Sequence, residues 1–388
     1  MRKYYSILII LPFICTSIYG KNNLYMNRCE QILTSIYTHY SIKGSPLLKE
    51  TYPLDTNYKA TYLASGDKQS HNQYSYLWPY SGTFSAVNAL TFTTAGKAYK
   101  RLLDDRVLAG LEKYFDTKRI PYAYSSYITE AKPSDRFYDD NIWLGIDFTD
   151  AYLHHKERKH LEKAELIWEF IESGMDNTLG GGVYWCEQKR KSKNTCSNAP
   201  ASVLALKLFE ATGDSLYFRE GKELYDWTKE HLQDNSDHLY YDNVNLDGHV
   251  SKEKYSYNSG QMLQAAALLY KITKNKEYLK EAQQVAKSCY NYFFEDFTSN
   301  KGLHFKMIKK GNVWFTAVML RGFIELYKLD KNPFYINAYK NSLDYAWTHA
   351  RNKDGLFDDS FTLIEKNKKK WLLTQAAFAE MYARIASL

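Results

Sequence analysis

Asp139 and Asp140 are adjacent carboxylates at the start of an apolar stretch with helical spacing. Two carboxyl groups can hydrolyse a glycosidic bond when one acts as nucleophile or base and the other as proton donor. Consecutive Cα atoms lie about 3.8 Å apart. Neighbouring side chains therefore reach the roughly 5 Å carboxyl separation of retaining enzymes more easily than the wider inverting separation. The pair predicts retaining glycoside hydrolysis.

The position of the pair also predicts unequal ionisation. Amide groups at a helix N-terminus stabilise a carboxylate anion by about 0.3–1 kcal/mol, and a neighbouring negative charge pushes the second carboxyl towards its protonated form. The competing interpretation is that both aspartates are ordinary capping residues. The other adjacent pairs, Asp104-Asp105 and Asp358-Asp359, fall in an outer helix and in a loop, so they lack this setting.

Helical periodicity dominates the chain, and short polar connectors recur along it at a regular interval. The steps between the residues that end these connectors are 57 or 61 residues. A period near 60 residues corresponds to one helical hairpin per repeat. The residues that mark the repeat are Tyr99, His160, Tyr217, Tyr278 and Tyr335.

Five hairpins follow from this period, and a sixth forms if the N-terminal helix near residues 24–40 pairs with the C-terminal helix that starts at about Trp371. The predicted fold is all-α, an (α/α)6 barrel of six helical hairpins in two concentric layers. It forms a single domain over residues 21–388. An open solenoid is the alternative, but the last helix, 372–385, is apolar enough to need cover on several sides.

The connectors from outer to inner helices are long, so they are all expected at one end of the barrel. Loops of this length are usually functional or disordered, and these carry aromatic residues and glycines rather than a disorder-prone composition. They span about residues 117–138, 175–196, 233–256, 295–313 and 352–369.

The residues that follow these loops begin the inner helices and are expected on one rim. They combine aromatic faces, which stack on sugar rings, with amides and acids that bind hydroxyl groups. Two loop residues are added, although Trp185 has the alternative role of a buried indole beside a glycine turn and Asp242 that of a turn residue. The candidate substrate-binding residues are Trp78, Tyr80, Asn141, Trp185, Asn198, Asp242, Tyr257, Asn258, Gln261, Trp314 and Trp371.

Residues 1–20 have the pattern of a secretory signal, with Arg2 and Lys3 before an apolar stretch and Gly20 before the expected cleavage site. Lipid attachment at Cys15 is the alternative, although the preceding Phe13 and Ile14 are large for such a site. No later segment is apolar for long enough to span a bilayer. The protein is expected to be secreted or periplasmic, or anchored by lipid to the cell envelope.

The composition is strongly aromatic, with 35 Tyr, 19 Phe and 8 Trp, and the formal charge is +7. Basic runs at 189–191 and 366–370 fall in loops, and no nucleic-acid-binding module accompanies them, so nucleic acid is not an expected partner. His154, His155 and His249 lack ligand-like spacing, so no metal is expected. No phosphate-binding loop or serine or cysteine nucleophile motif is present, and we expect no cofactor.

Cys186 and Cys196 flank one polar loop. A disulfide between them would stabilise the protein by roughly 2–3 kcal/mol. Two free thiols are the equal alternative, because spacing along the chain does not fix the Cβ geometry.

The segment from Phe137 to Tyr152 resembles the catalytic helix of glycoside hydrolase family 76, the endo-α-1,6-mannanases. Three further segments share the resemblance, which covers roughly residues 75–385: 180–186 with 193–198, 257–261 and 314–317. The resemblance implies a barrel of six hairpins, a retaining mechanism and an α-1,6-linked mannose backbone as substrate. It also implies that Asp139 is the nucleophile and Asp140 the general acid/base, an order that the spacing alone leaves open.

We therefore expect a monomeric, endo-acting retaining glycosidase for α-mannan. One rival hypothesis is a glycan-binding protein that uses the aromatic rim without chemistry. Another is an α/α-barrel glycosidase for a different polysaccharide, including acidic ones. The inner-helix starts carry no arginine cluster that would receive a sugar carboxylate, which disfavours an acidic substrate.

Overall fold

A computed structural model describes residues 21–66, 72–365 and 368–388. The predicted export signal, residues 1–20, and Cys15 within it lie outside the described residues. In the described ranges the α-helices are α1 Lys21–His39, α2 Leu77–Thr91, α3 Lys100–Leu102, α4 Ala109–Leu111, α5 Tyr138–His155, α6 Arg158–Glu172, α7 Thr195–Thr212, α8 Ser215–Leu232, α9 Ser256–Thr273, α10 Lys276–Phe293, α11 Val313–Asp330, α12 Phe334–His349 and α13 Leu372–Ala386. A π-helical stretch, Leu103–Leu108, joins α3 to α4.

Six helices form a closed inner ring. Each contacts the next in the order α2, α5, α7, α9, α11 and α13, and α13 contacts α2. The outer layer packs on this ring as α4 with its π-helical stretch on α2, α6 on α5, α8 on α7, α10 on α9, α12 on α11 and α1 on α13. The predicted (α/α)6 barrel is confirmed. The open solenoid is wrong because α1 and α13 close the ring.

The short turns between inner and outer helices repeat one geometry. Four inner helices end at Lys156, Gly213, Lys274 and Lys331, whose φ values of 60°, 78°, 59° and 57° lie in the left-handed region. Each of these residues donates its backbone N–H to the carbonyl four residues earlier, which is the left-handed form of a helix C-cap. The recurring cap gives these four connectors the same tight geometry.

The long loops at the other end fold into small antiparallel sheets, which the all-α expectation did not include. The largest has the order β4-β5-β6-β7, and β8-β9, β2-β3 and β1-β10 form pairs. In the described ranges the strands are β1 Thr51–Tyr52, β2 Phe115–Asp116, β3 Ala123–Tyr124, β4 Tyr184–Cys186, β5 Lys189–Asn194, β6 Tyr241–Asn245, β7 Val250–Lys254, β8 Phe294–Thr298, β9 His304–Ile308 and β10 Lys370–Trp371.

The inner helices are buried on nearly all sides, which explains sequences that are apolar around the whole helix rather than along one stripe. Helices α9 and α11 pack closely through two glycines. A Cβ on Gly322 would lie 2.3 Å from the backbone oxygen of Gly260, so only glycine allows these helices to pack at this distance. No helix in the described ranges is long and apolar enough to cross a bilayer.

A buried ion network crosses the interior of the ring. Arg321 on α11 donates Nε–H to Glu380 on α13 over 2.7 Å, and its Nη1 lies 3.7 Å from Oδ1 of Asp147 on α5. Arg384 binds the same Glu380 oxygen over 2.6 Å. Ser85 on α2 donates a hydrogen bond to Asp147. The network therefore links four of the six inner helices.

We expect Arg321→Met to destabilise the fold by about 3–5 kcal/mol, because it leaves the buried carboxylates Glu380 and Asp147 with less compensating charge. The matched control is Arg158→Met on α6, where the exposed arginine pairs with Glu162 and the expected loss is about 0.5 kcal/mol or less. Urea unfolding followed by far-ultraviolet circular dichroism measures both. Equal unfolding midpoints for the two variants would contradict the proposed importance of the network.

Candidate active site

Asp139 and Asp140 occupy the first turn of α5, and both side chains are half-buried. Three donors converge on Asp139: the indole Nε1–H of Trp185 and the thiol of Cys196 reach Oδ2 over 3.1 and 3.3 Å, and the backbone N–H of Asp140 reaches Oδ1 over 3.0 Å. The carboxyl of Asp140 has no comparable donor among the described residues. The two neighbours therefore have different surroundings.

This difference separates their ionisation. Burial raises the pKa of Asp139 to about 6, and the hydrogen bonds from Cys196, the Asp140 amide and Trp185 oppose that rise. Burial and then the negative charge of Asp139 raise the pKa of Asp140 well above its ordinary value. As pH rises, Asp139 loses its proton first and Asp140 keeps its own to higher pH. The arrangement provides one anion and one proton donor side by side.

Trp185 reaches Asp139 because of the turn that precedes β4. The indole packs on Phe137, with ring centroids 4.9 Å apart. Gly182 has a φ of 82°, and a Cβ there would lie 2.9 Å from both the Asn198 side-chain oxygen and the Trp227 ring. The turn therefore requires glycine. The predicted glycine turn thus positions the predicted site residue Trp185.

Three inner helices hold the preceding loop with the same amide clamp. Each side chain accepts a hydrogen bond from the backbone N–H of one loop residue, donates to the carbonyl of that same residue, and also donates to the carbonyl four residues earlier in its own chain. The clamps are Asn141 on Tyr124, Asn198 on Val183 and Gln375 on Phe357. They fix the mouth loops to the helix starts.

The clamps correct two predicted substrate-binding residues. The amides of Asn141 and Asn198 are fully buried and have their hydrogen bonds in the clamps, so they position the loops and do not face a ligand. A third prediction, Tyr80, is also wrong. Its ring is 1% exposed, and its hydroxyl donates to the backbone oxygen of Val107 in the outer layer over 3.0 Å. Tyr80 follows the rim residue Trp78 by two positions, a rotation of about 200° that turns its side chain to the opposite face of α2.

An aromatic cluster spans the mouth of the barrel. Trp314 on α11 lies edge-on to Trp143 on α5 and to Trp78 on α2, at centroid distances of 5.1 and 5.5 Å. Tyr257 on α9 stacks on Phe315, with centroids 4.0 Å apart and an angle of 8° between planes. Trp143 is one helical turn from Asp139 and Asp140 on the same helix. The cluster therefore lies next to the carboxylate pair.

Polar groups accompany the aromatic cluster. Gln261 Oε1 and Trp314 Nε1 are buried without a hydrogen-bond partner. Asp242 on β6 is half-buried, and burial raises the pKa of its carboxyl, while the hydrogen bond that the Asn243 amide donates to it over 2.8 Å opposes that rise. Asp242 also acts electrostatically on Cys196, the donor to Asp139. Tyr257 also interacts electrostatically with Cys196, Asp242 and Asp139, so Tyr257 and Asp242 lie on the side of the mouth that faces Asp139. Asn258 and Gln261 are buried on the same helix as Tyr257.

Trp371 lies at the other side of the mouth. Its indole is half-buried, donates Nε1–H to Glu50 over 2.6 Å and meets Trp78 edge-on with centroids 5.4 Å apart. A cleft of about 210 Å³ opens beside it, lined also by Asn312 and Thr374. Site residues that the sequence analysis did not assign to the site are Cys196, Trp143 and Gln375. Cys196 was considered only for a disulfide, and Trp143 and Gln375 occur in apolar helical sequences that carry no chemical signal.

Cys186 and Cys196 are free, buried thiols, which favours the second of the two sequence-based alternatives. One group of potential metal ligands occurs in the described ranges: Asp104, Glu157 and His160 place ligand atoms within 4.8 Å of one another. Lys100 binds both carboxylates, and Lys159 does the same over 2.9–3.1 Å. Two ammonium groups already compensate these acids, so we describe the group as an ion-pair cluster.

The unequal surroundings generate a titration prediction. In protein labelled with ¹³C at aspartate carboxyl carbons, Asp139 should titrate with a pKa of about 6 and Asp140 at higher pH. Asp139→Asn should lower the pKa of Asp140, because the neighbouring negative charge is gone. The exposed Asp105, which belongs to the other helical pair, is the internal control. An unchanged Asp140 titration in Asp139→Asn would contradict the electrostatic coupling.

Comparison with known proteins fits this geometry. The family model for glycosyl hydrolase family 76 matches residues 49–323. A glycoside hydrolase family 76 mannosidase from Bacteroides thetaiotaomicron is 34% identical, with a TM-score of 0.85 over 94% of this chain and 98% of that chain. The α-1,6-mannanase of Salegentibacter sp. HEL1_6 shares the fold at 20% identity. That structure is an inactive variant in which two consecutive aspartates are replaced by asparagine, and it contains bound α-1,6-mannotriose. Its TM-score is 0.74, over 94% of this chain and all of that chain.

Among curated proteins, a mannan endo-1,6-alpha-mannosidase from Candida glabrata is 34% identical over 155 residues, which is 35% of this chain and 34% of the relative. One from Saccharomyces cerevisiae is 25% identical over 240 residues, 57% of this chain and 50% of the relative. The chain thus spans a third to a half of the length of these curated relatives. Because the family model covers more than two thirds of the chain, and a relative of 34% identity matches almost end to end, the protein belongs to glycosyl hydrolase family 76.

Proposed function

We propose that this protein hydrolyses internal α-1,6-mannosidic bonds of a mannan backbone with retention of configuration. One observation carries the proposal: two neighbouring acids beside an aromatic cluster have different surroundings. Asp139 accepts three hydrogen bonds that favour its anion, whereas Asp140 is held towards its protonated form. The linkage and the endo mode are supported by the names of the matched relatives, the mannan endo-1,6-alpha-mannosidases. The inactive Salegentibacter variant supports the importance of two consecutive aspartates.

Asp139 is the nucleophile in this proposal. Its Oδ2 accepts two hydrogen bonds and its Oδ1 only one, so Oδ1 keeps a lone pair free for attack. That lone pair forms a bond to the anomeric carbon as the glycosidic C–O bond breaks. The electrons of the broken bond go to the leaving oxygen, which takes the proton of Asp140. The result is a glycosyl-enzyme ester and an ionised Asp140.

The second step reverses the roles. The Asp140 carboxylate removes a proton from a water molecule, whose oxygen attacks the anomeric carbon. The bond to Asp139 breaks and returns its electrons to the carboxylate. Both residues end in the protonation states in which they began. Two inversions at one carbon give overall retention.

Substrate binding follows from the residues around the pair. Trp78 and Phe315 lie at the mouth, and their aromatic rings are suited to stacking on the apolar faces of sugar rings. The unpartnered Gln261 Oε1 and Trp314 Nε1 gain partners if sugar hydroxyl groups reach them. Trp371 and its cleft extend the binding surface away from the carboxylates. A surface with several sugar positions suits a polymeric substrate.

We also propose that the protein acts as an exported monomer, either released or periplasmic, or held at the cell envelope by a lipid on Cys15. The pattern of residues 1–20 supports export. The proposal needs no metal and no organic cofactor for either step.

The experiment that tests the function is hydrolysis of linear α-1,6-mannan by wild-type protein and by Asp139→Asn and Asp140→Asn. Both variants should lose activity, Asp140→Asn by about 10²–10⁴-fold as expected for loss of a general acid. An aryl mannoside whose leaving group needs no proton should recover the first step of Asp140→Asn, but not that of Asp139→Asn. The matched control, Asp105→Asn, alters the exposed acid of the other helical pair and should retain wild-type activity.

Product analysis separates the hydrolase from its rivals. Nuclear magnetic resonance of the first products should show the α anomer and internal oligosaccharides. A protein that retains mannan on a column and releases no oligosaccharides would be a glycan-binding protein. Cleavage of other glycans with mannan left intact would support the hypothesis of a different polysaccharide. Near wild-type activity in either aspartate variant would refute the roles assigned to the pair.

A further inference from the structure

Oδ2 of Asp139 receives two side-chain hydrogen bonds from two different elements. Trp185 comes from β4, and Cys196 comes from the first turn of α7 with Sγ 3.3 Å from Oδ2. Both donors are neutral, and among the described residues no lysine, arginine or histidine forms an ion pair with Asp139. The charge of Asp139 therefore depends on hydrogen bonds and not on a counter-ion.

Cys196 is held in place to make this contact. Its side chain is 3% exposed. The neighbouring Thr195 donates its hydroxyl to the backbone oxygen of Tyr241 over 2.5 Å, and the Asn198 clamp holds the same helical turn. Burial and the charges of Asp139 and Asp242 raise the pKa of the Cys196 thiol well above its usual range. The sulfur thus keeps its proton at neutral pH and can only donate to the carboxylate.

We propose that Cys196 is a positioning residue for the nucleophile, whose S–H···Oδ2 hydrogen bond holds the Asp139 carboxylate in its orientation and favours its ionised form. The inference rests on the proposed function, in which Asp139 must be ionised to attack. The thiol proton stays on sulfur throughout and no bond to sulfur forms. The buried thiol thus has a role in the site as a hydrogen-bond donor and not as a nucleophile.

The sign of the effect follows from the surroundings of Asp139. Burial favours the neutral acid, and the hydrogen bonds from the Cys196 thiol, the Asp140 amide and the Trp185 indole oppose it. Other titratable groups that face the site are Asp140 on α5, Cys186 on β4, Asp242 on β6 and Tyr257 on α9. None of them carries a positive charge that would replace the lost donor. Without the thiol, Asp139 should hold its proton to higher pH.

The first test is the pH dependence of kcat/KM on α-1,6-mannan for wild type, Cys196→Ala and Cys196→Ser. The acidic limb reports ionisation of the nucleophile in the free enzyme. In Cys196→Ala it should move upward by about one pH unit, the size expected for loss of one hydrogen bond to a charged group. In Cys196→Ser, where the hydroxyl is also a donor, the limb should stay at or below the wild-type position.

The matched control is Cys289→Ala, which removes the thiol of another fully buried cysteine, on α10, and should leave the limb unchanged. A Cys196→Ala profile that superimposes on wild type would overturn the inference. So would a Cys196→Ser limb shifted as far as that of the alanine variant. A general loss of stability would lower activity at all pH values, whereas the proposed loss is largest at acid pH and shrinks as pH rises.

A second measurement needs no active enzyme. Raman spectroscopy of the wild-type protein should show one S–H stretching band displaced to low frequency by a strong acceptor, and Cys196→Ala should lack it. Asp139→Asn should move that band back towards the others. Absence of a displaced band in wild type would refute the contact. If wild type cleaves no mannan but keeps the band, the proposed function fails while the contact stands.

Discussion

Two half-buried carboxyl groups side by side oppose each other's ionisation, and the rest of this structure depends on how that conflict is resolved. The fold directs three hydrogen bonds to Asp139. The negative charge of Asp139 then disfavours ionisation of Asp140. A single backbone position separates the two residues, yet one becomes the anion and the other retains its proton. The helix supplies one of the three hydrogen bonds, from the backbone N–H of Asp140. The other two come from Trp185 on β4 and Cys196 on α7, which both lie on the Asp139 side.

The barrel provides the precision that this asymmetry needs. Inner helices start at the mouth, long loops precede them, and the amide clamps of Asn141, Asn198 and Gln375 tie each loop to its helix by its backbone. Backbone hydrogen bonds tolerate changes in the loop side chains, so the loop sequences can vary while the attachment of each loop to its helix stays fixed. Below the mouth, the Arg321–Glu380–Asp147 network links α5, α11 and α13 through their buried faces. Two of the three clamped helices, α5 and α13, are therefore restrained at both levels.

Much of this architecture could be predicted from the sequence because it is periodic. The 57- and 61-residue steps are visible wherever a short turn with a left-handed cap recurs, and the Asp139-Asp140 pair is distinctive at a helix start. The orientation of individual side chains was less predictable. Tyr80, Asn141 and Asn198 have the right chemistry for sugar binding. Tyr80, two residues from the rim residue Trp78, points instead to the outer layer, and Asn141 and Asn198 bind a loop backbone within their reach. Cys196 gave no signal because its role exists only when β4 and α7 meet at α5. The short mouth strands were missed because most span five residues or fewer.

Neutron diffraction from crystals exchanged into D₂O at neutral pH tests the central claim most directly, because it locates the protons of both acids and of the thiol. We predict a deuteron on the carboxyl of Asp140, none on Asp139, and a deuteron on the sulfur of Cys196 that points at Asp139 Oδ2. A deuteron on Asp139 with a bare Asp140, or two bare carboxylates, would contradict the account.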